Sequence, residues 1–146
     1  MVTSFSHIYL PVRDVDASID FYTKNLGFRL LRKYRTGEGG SASAYVELGE
    51  VLLELTPSQR PLPVDEGRVE NRIGLTVTNI DTVIEELKAK GVTVEREPFE
   101  ARTFWGRQAL IKDPSGYGVS LREWEKPDGP RFDGWQPRHE GGTRLA

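Results

Sequence analysis

The sequence predicts an α+β fold made of two tandem βαβββ units, which form an open, incomplete β-barrel cleft with helices outside. Two observations predict this fold: an internal repeat, and the same order of strand and helix patterns after each copy. Residues 7–19 and 72–84 align without a gap, and their apolar positions coincide. Each such unit has an apolar sheet face that must be covered, so two copies are expected to pair around a ligand cleft.

Each copy begins with a strand that leads into a helix. Residues 8–12 and 73–77 alternate apolar side chains with period two, which is typical of half-buried strands. Helical spacing of apolar residues follows, and both helices are expected to end at a glycine, Gly27 or Gly91. Four side chains could cap the helix starts: Asp14 or Asp16 in the first copy, and Asn79 or Asp81 in the second.

Three further strands are predicted in each copy, at 28–35, 42–48 and 51–55 and at 94–99, 107–112 and 118–123. The proline-containing link 56–71 is predicted to be a surface loop. We therefore expect a single domain over 1–125, with repeats at about 5–56 and 70–125. The Gly- and Pro-rich segment 126–146 is expected to be a tail, either disordered or anchored to the body by Phe132 and Trp135.

The composition excludes several classes of function. The chain has 146 residues, a net charge of −2, two histidines and no cysteine. Disulfides, thiolate metal sites and cysteine nucleophiles are therefore excluded. The interspersed charges favour neither nucleic acid nor a membrane surface as a partner. Without a signal-peptide pattern at the N-terminus, a cytoplasmic location is expected.

Three segments resemble one known family. They are VDASIDFYTKNLGF at 15–28, FWGR at 104–107 and DPSG at 113–116. Together with the duplicated βαβββ pattern, they resemble the glyoxalase/bleomycin-resistance protein/dioxygenase (vicinal oxygen chelate) superfamily over about residues 5–125. The second and third segments look most like the bleomycin-resistance branch. That branch implies a homodimer that sequesters a small molecule in clefts between its subunits and does no chemistry.

Enzymes of this superfamily commonly hold a divalent metal with side chains from the first and fourth strands of each half. Carried over by position, the resemblance implies His7 and Glu54 as ligands in the first half. The corresponding positions of the second half hold Arg72 and Ser120. Arginine stays protonated and does not ligate, and a serine hydroxyl is a weak ligand. A third ligand from His139 would require the tail to swing in.

Several interpretations of these residues stay open at this stage. His7 is either a strand histidine hydrogen-bonded to Glu54, a metal ligand with Glu54, or part of a metal-free site in which Glu54 or His7 is the general base. Arg72 either neutralises Glu54 or holds a carboxylate or phosphate group. Phe104 and Trp105 either stack on a ligand or pack in the protein. Further candidates for a ligand-binding surface are Tyr45, Ser120 and Arg122, and, more weakly, Tyr117 and Trp124.

The sequence favours a metal-free protein that binds a flat polar or anionic compound, with no cofactor. The alternative is a lyase or isomerase of the glyoxalase I-like class that uses His7 and Glu54 with zinc, nickel, iron or manganese, and with Glu54 as the catalytic residue. A third interpretation is an interaction module whose cleft is filled by aromatic side chains. The expected partners are a small-molecule ligand and a second copy of the chain.

Overall fold

The computed structural model describes residues 1–126 and Leu145. Apart from Lys126 and Leu145, the predicted tail lies outside the described residues, and so do Phe132, Trp135 and His139. Within the described part, no helix is long and apolar enough to cross a membrane. The chain folds as two compact units. The first holds 1–70 and 113–117, and the second holds 71–112 and the described residues from 118 onward.

The first unit contains the complete first βαβββ repeat. Its elements are β1 (Ile8–Val12), α1 (Val15–Asp20), a π-helical turn (Phe21–Asn25), β2 (Arg29–Arg35), β3 (Ala42–Leu48) and β4 (Val51–Pro57). The strand order in the sheet is β1-β4-β3-β2, with β1 parallel to β4 and the other neighbours antiparallel. Helix α1 packs against β3 and β4. The alternation within β4 explains this packing, because Leu53 and Leu55 on the same face are fully buried.

The second unit repeats this arrangement. Its elements are β5 (Glu70–Thr76), α2 (Ile80–Ala89), β6 (Thr93–Glu100), β7 (Gly106–Lys112) and β8 (Tyr117–Trp124). The strand order is β5-β8-β7-β6, the counterpart of the first sheet. Ala109 and Ile111 on β7, and Val119 and Leu121 on β8, are buried. The structure therefore confirms the predicted α+β class, with two open four-stranded sheets rather than a closed barrel.

The helix ends confirm one of the two cap candidates in each copy. Asp14 accepts a hydrogen bond from the backbone N–H of Ala17 at 2.9 Å, and Asn79 accepts one from Thr82 at 3.4 Å. The first helix differs from the prediction because its regular α-helical part ends at Asp20 and a π-helical turn completes it. Apolar spacing alone does not distinguish these two backbone forms.

The link 56–71 is more structured than predicted. Strand β4 extends to Pro57, a 3-10 helix covers Pro63–Glu66, and β5 already begins at Glu70. Leu62 and Pro63 are buried, so the prediction of a surface loop is wrong for this part. The proline at the first position of the 3-10 helix is compatible with a helix start, because proline lacks only an N–H that would have no partner there.

Candidate functional site

The candidate site of the first unit lies on the sheet face turned away from α1. Glu54 stands between the buried Leu53 and Leu55 on β4, so its side chain points to the opposite face. It is only 6% exposed. His7 directly precedes β1, and the parallel register of β1 with β4 places Tyr9 beside Glu54. As a result, Nε2 of His7 lies 2.9 Å from Oε2 of Glu54.

The contact between His7 and Glu54 has the distance of an ion pair without the geometry of a hydrogen bond. Nε2 of His7 is buried and has no hydrogen-bond partner. The other ring nitrogen, Nδ1, lies 2.8 Å from the hydroxyl of Ser6. A buried polar atom without a hydrogen bond costs about 1–3 kcal/mol, so such atoms are rare unless they have a functional role. This Nε2 atom is the clearest sign of a binding function in the first unit.

Three tyrosines surround this pair. Tyr34 on β2 donates its hydroxyl hydrogen bond to Oε1 of Glu54. The rings of Tyr34 and Tyr45 are stacked with their centroids 5.5 Å apart. The His7 ring meets Tyr9 at 4.6 Å and Tyr45 at 5.8 Å, both edge to face. The face therefore presents a buried carboxylate and an imidazole within an aromatic frame.

The hydrogen bond to Glu54, together with burial, raises the pKa of the Tyr34 hydroxyl well above its usual value. Tyr34 therefore keeps its proton at neutral pH and donates to Oε1 of Glu54. Because this bond occupies Oε1, the carboxylate is held in one orientation. Its second oxygen, Oε2, remains directed at His7.

The distance between the side chains of His7 and Glu54 decides whether the pair fits a divalent metal ion. Two ligand atoms about 2.1 Å from one ion and at right angles to each other lie about 3 Å apart. The 2.9 Å between Nε2 of His7 and Oε2 of Glu54 is compatible with two adjacent coordination positions. However, the described part of the chain holds no group of three or more His, Cys, Asp or Glu side chains that could together bind a metal ion. His7 and Glu54 could therefore supply two adjacent ligands of a metal ion, but not a complete set of protein ligands.

The remaining predicted site residues belong to the second unit. Ser120 and Arg122 lie on β8 and point to the same face, with Gln108 of β7 directly opposite Arg122. Arg72 is exposed on β5. The structure thus brings together His7, Glu54 and Tyr45 in one unit, and Ser120 with Arg122 in the other.

The aromatic candidates of the second unit differ in burial. Phe104 is 1% exposed and packs in a cluster with Ala101 and Trp124, which favours the packing interpretation for Phe104. Trp105 is 48% exposed. Tyr117 and Trp124, the weaker candidates for a ligand-binding surface, are both buried. Burial of an aromatic ring removes the face on which a ligand would stack.

The three segments that carry the resemblance have structural roles in this protein. Tyr22, from the first segment, donates a hydrogen bond at 2.7 Å to Asp113 of the DPSG turn. Gly106 allows close approach of strands, because a Cβ atom there would lie 2.1 Å from the carbonyl oxygen of Glu123. Arg107 binds Asp81 at the start of α2 with two hydrogen bonds of 2.7 and 3.0 Å. Tyr22, Asp113, Gly106 and Arg107 of these segments therefore have roles in the fold.

Tyr34 and Tyr9 belong to the site although no sequence pattern indicated them. Both lie on strands next to a strand that carries a candidate residue. Tyr9 is set beside Glu54 by the β1–β4 register, and the opposite neighbour of Glu54 is Tyr45. Tyr34 could not be assigned in this way, because an irregularity in the pairing between Leu30 and Arg32 shifts the register of β2.

With the fold and the site described, comparison with known proteins defines the class. Residues 4–121 match the model of the Glyoxalase/Bleomycin resistance protein/Dioxygenase superfamily. The chain belongs to this superfamily, as its duplicated unit and the segments at 15–28, 104–107 and 113–116 led us to expect. The prediction that it is nearest to the bleomycin-resistance branch stays a prediction.

Individual relatives fall into two functional groups. The chain is 33% identical to a probable lactoylglutathione lyase of Vibrio cholerae serotype O1, over 79% of this chain and 86% of the relative. It is 35% identical to a lactoylglutathione lyase of Escherichia coli O157:H7, over 80% and 90%. Among solved structures, the antibiotic binding protein TnmS3 from Streptomyces sp. CB03234 superimposes with a TM-score of 0.63 at 26% identity. This match covers 84% of this chain and 98% of TnmS3.

Proposed function

We propose that the protein is a lyase or isomerase of the glyoxalase class that acts on a small molecule at His7 and Glu54. The observation that carries the proposal is the buried Nε2 atom of His7, which has no hydrogen bond and lies 2.9 Å from Oε2 of Glu54. A carboxylate and an imidazole in contact form a pair that can accept and return a proton. The relatives named lactoylglutathione lyases favour this proposal over a binding function alone.

Each residue of the pair has a defined part in the proposal. Glu54 accepts a proton from the substrate through Oε2, because its Oε1 is held by the hydroxyl of Tyr34. Tyr34 is a positioning residue. Its hydroxyl keeps its proton because its pKa is raised, and it fixes the carboxylate by donating a hydrogen bond to it. A divalent ion bound to His7 and Glu54 would polarise a substrate oxygen. Tyr45 and Tyr9 flank the imidazole and limit the access of water to it.

The test compares Glu54→Gln with the control Glu47→Gln, using the lactoylglutathione of the relatives' names as the first substrate. Glu47 lies on the neighbouring strand and pairs with Arg29, so the control removes the same charge outside the site. We expect Glu54→Gln to lower turnover at least about 100-fold while ligand binding is nearly retained, and Glu47→Gln to leave turnover unchanged. Equal loss of turnover in the two variants, or loss of turnover in neither, would contradict the proposal.

The second candidate function is a metal-free protein that binds a polar or anionic compound. Arg72 and Ser120 favour it, since neither is a usual metal ligand. The similarity to the antibiotic binding protein TnmS3 also supports it. Elemental analysis of the purified protein discriminates between the two candidates. One zinc, nickel, iron or manganese per chain favours the lyase, and no stoichiometric metal together with a ligand-induced rise in Tm favours the binding protein.

The cellular setting that we propose for both functions is cytoplasmic, with the chain as a homodimer. The dimer is proposed because members of the bleomycin-resistance branch complete their clefts between two subunits. Light scattering tests this part separately. A mass of one chain at micromolar concentration would rule out the dimer and leave the roles of His7 and Glu54 to be tested by the variants.

A further inference from the structure

Arg122 lies on the face of the second sheet that is turned away from α2. The neighbouring residue Glu123 points to the other face, where its Oε2 accepts a hydrogen bond of 2.7 Å from the backbone N–H of Ile80 at the start of α2. Since side chains alternate along a strand, Arg122 projects to the opposite side of β8. Ser120, two residues earlier, shares this side.

The Nε atom of the Arg122 guanidinium group is buried and has no hydrogen-bond partner. The guanidinium carbon lies 5.0 Å from the centre of the Phe104 ring, and Phe104 itself is fixed in a buried cluster. This cation–π contact holds the flat group in place but satisfies none of its N–H donors. By contrast, Arg107 of the same sheet donates hydrogen bonds from both of its terminal nitrogens to Asp81.

The side chains next to Arg122 are also donors. Gln108 lies directly opposite Arg122 in the antiparallel register, and its Oε1 is 3.5 Å from the hydroxyl of Ser120. This arrangement leaves the amide NH₂ of Gln108 to donate. Lys112, further along β7, lies 3.5 Å from Glu95, so the carboxylate of Glu95 is already beside a cation. The amide NH₂ of Gln108 thus adds N–H donors directly opposite Arg122 in the sheet.

We propose that Arg122 and Gln108, with Ser120 beside them, bind a small oxyanion, either a carboxylate or a phosphate group. A guanidinium fork matches both groups, because each presents two oxygens at the spacing of its N–H donors. Preorganisation by Phe104 lowers the entropy that Arg122 would lose on binding. The site is within the second unit and does not depend on the proposed roles of His7 and Glu54.

The experiment follows the Nε–H signal of Arg122 by NMR, with the signal assigned by its loss in Arg122→Lys. The full chain is titrated with inorganic phosphate and, separately, with acetate, while chloride keeps the ionic strength constant. We expect a saturating shift with at least one of the two anions. Saturation by phosphate alone identifies a phosphate site, and saturation by acetate, alone or with phosphate, identifies a carboxylate site. The absence of saturation with either anion would overturn the proposal.

Variants then test the assigned residues by calorimetric or NMR titration with the anion that binds. Arg122→Lys keeps the charge but loses the fork, so the affinity should fall about tenfold. Gln108→Ala should weaken binding about fivefold, since one neutral hydrogen bond is lost. Arg96→Lys is the matched control, because Arg96 lies on the same sheet with its guanidinium carbon 3.3 Å from the centre of the Phe99 ring. An equal loss of affinity in Arg96→Lys and Arg122→Lys would show that the fork of Arg122 is not the binding group and would also overturn the proposal.

Discussion

The two sheets of this protein have the same strand order, yet the faces turned away from their helices carry different chemistry. In the first sheet this face holds the buried carboxylate of Glu54, with His7 at 2.9 Å and Tyr34 bonded to it. In the second sheet it holds Arg122, whose Nε lacks a hydrogen bond, and Gln108 opposite it. The helix-side faces agree, because both are built from buried aliphatic residues.

This difference shows which positions of a duplicated unit are free to diverge. Helix-side residues are constrained by close packing, because the loss of even one methylene group there lowers the stability of the fold. Residues on the other face have no such constraint and can be selected for binding. A negative site and a positive site on equivalent sheets can therefore arise without any change of fold.

The largest effects are expected from the helix-side faces, which should respond alike. Leu55 on β4 and Leu121 on β8 are equivalent and buried. Leu55→Ala and Leu121→Ala should each lower the free energy of unfolding by about 3 kcal/mol, because both leave a cavity. Urea denaturation measures this loss. If one of the two costs less than about 1 kcal/mol, the two core faces are not equivalent.

A slightly smaller effect is expected at Asp113, which contributes to the first unit only. Its carboxylate accepts hydrogen bonds from the Tyr22 hydroxyl and from the backbone N–H groups of Ser115 and Tyr117, at 2.7, 2.9 and 2.9 Å. Asp113→Ala should cost about 2–3 kcal/mol, since it leaves these donors without a partner. Asp113→Asn keeps an acceptor for the two N–H groups and should cost less.

The pH dependence of the free energy of unfolding distinguishes the effect of the Asp113 charge from the effect of its hydrogen bonds. Burial raises the pKa of the Asp113 carboxyl above its ordinary value of 3.8, against the opposing effect of its hydrogen bonds. Between the ordinary and the raised pKa, the folded protein binds a proton that the unfolded chain does not, so stability falls as the pH rises through this window. Compared with Asp113→Asn, the wild type should therefore gain stability on acidification there. An opposite trend in chemical denaturation would show a lowered pKa.

The sequence was sufficient for the fold because both copies follow strong local rules. The alternation at 8–12 and 73–77 and the turn at 113–116 are readable without tertiary contacts. Each helix start was narrowed to two cap candidates, of which Asp14 and Asn79 are the caps observed. His7 and Glu54 followed from the resemblance.

The aromatic frame and the donors around Arg122 could not be predicted. Tyr34 contacts Glu54 from a strand whose register is shifted by an irregularity. The guanidinium group of Arg122 is held by the ring of Phe104, which lies in a loop 18 residues earlier in the sequence. Such relations are set by strand pairing and loop packing, which a single sequence does not specify.

The next largest effect is expected when a carboxylate, as found in the first sheet, is introduced beside Arg122 in the second sheet. Ser120 occupies the position that Glu54 holds in the first sheet, and it lies on the same side of β8 as Arg122. Ser120→Glu supplies an internal carboxylate for the Arg122 guanidinium, so the affinity for phosphate or acetate should fall about tenfold. Thr93→Glu adds the same charge at an exposed position of β6 and serves as the control. Equal losses in the two variants would mean that net charge, and not Arg122, governs binding.

The smallest effects are expected at the helix starts, where the two units differ in backbone conformation. Asp14 has extended backbone angles and a short cap bond of 2.9 Å, so Asp14→Ala should cost about 1 kcal/mol. Asn79 has a left-handed conformation with φ of 54° and a long cap bond of 3.4 Å, while Glu123 also accepts from the start of α2. Asn79→Gly relieves the strain of the left-handed conformation but also removes the weak cap, so the two effects nearly cancel. Thermal denaturation should therefore show a change in the free energy of unfolding within about 0.5 kcal/mol. A loss as large as that of Asp14→Ala would show that Asn79, and not Glu123, is the main cap of α2.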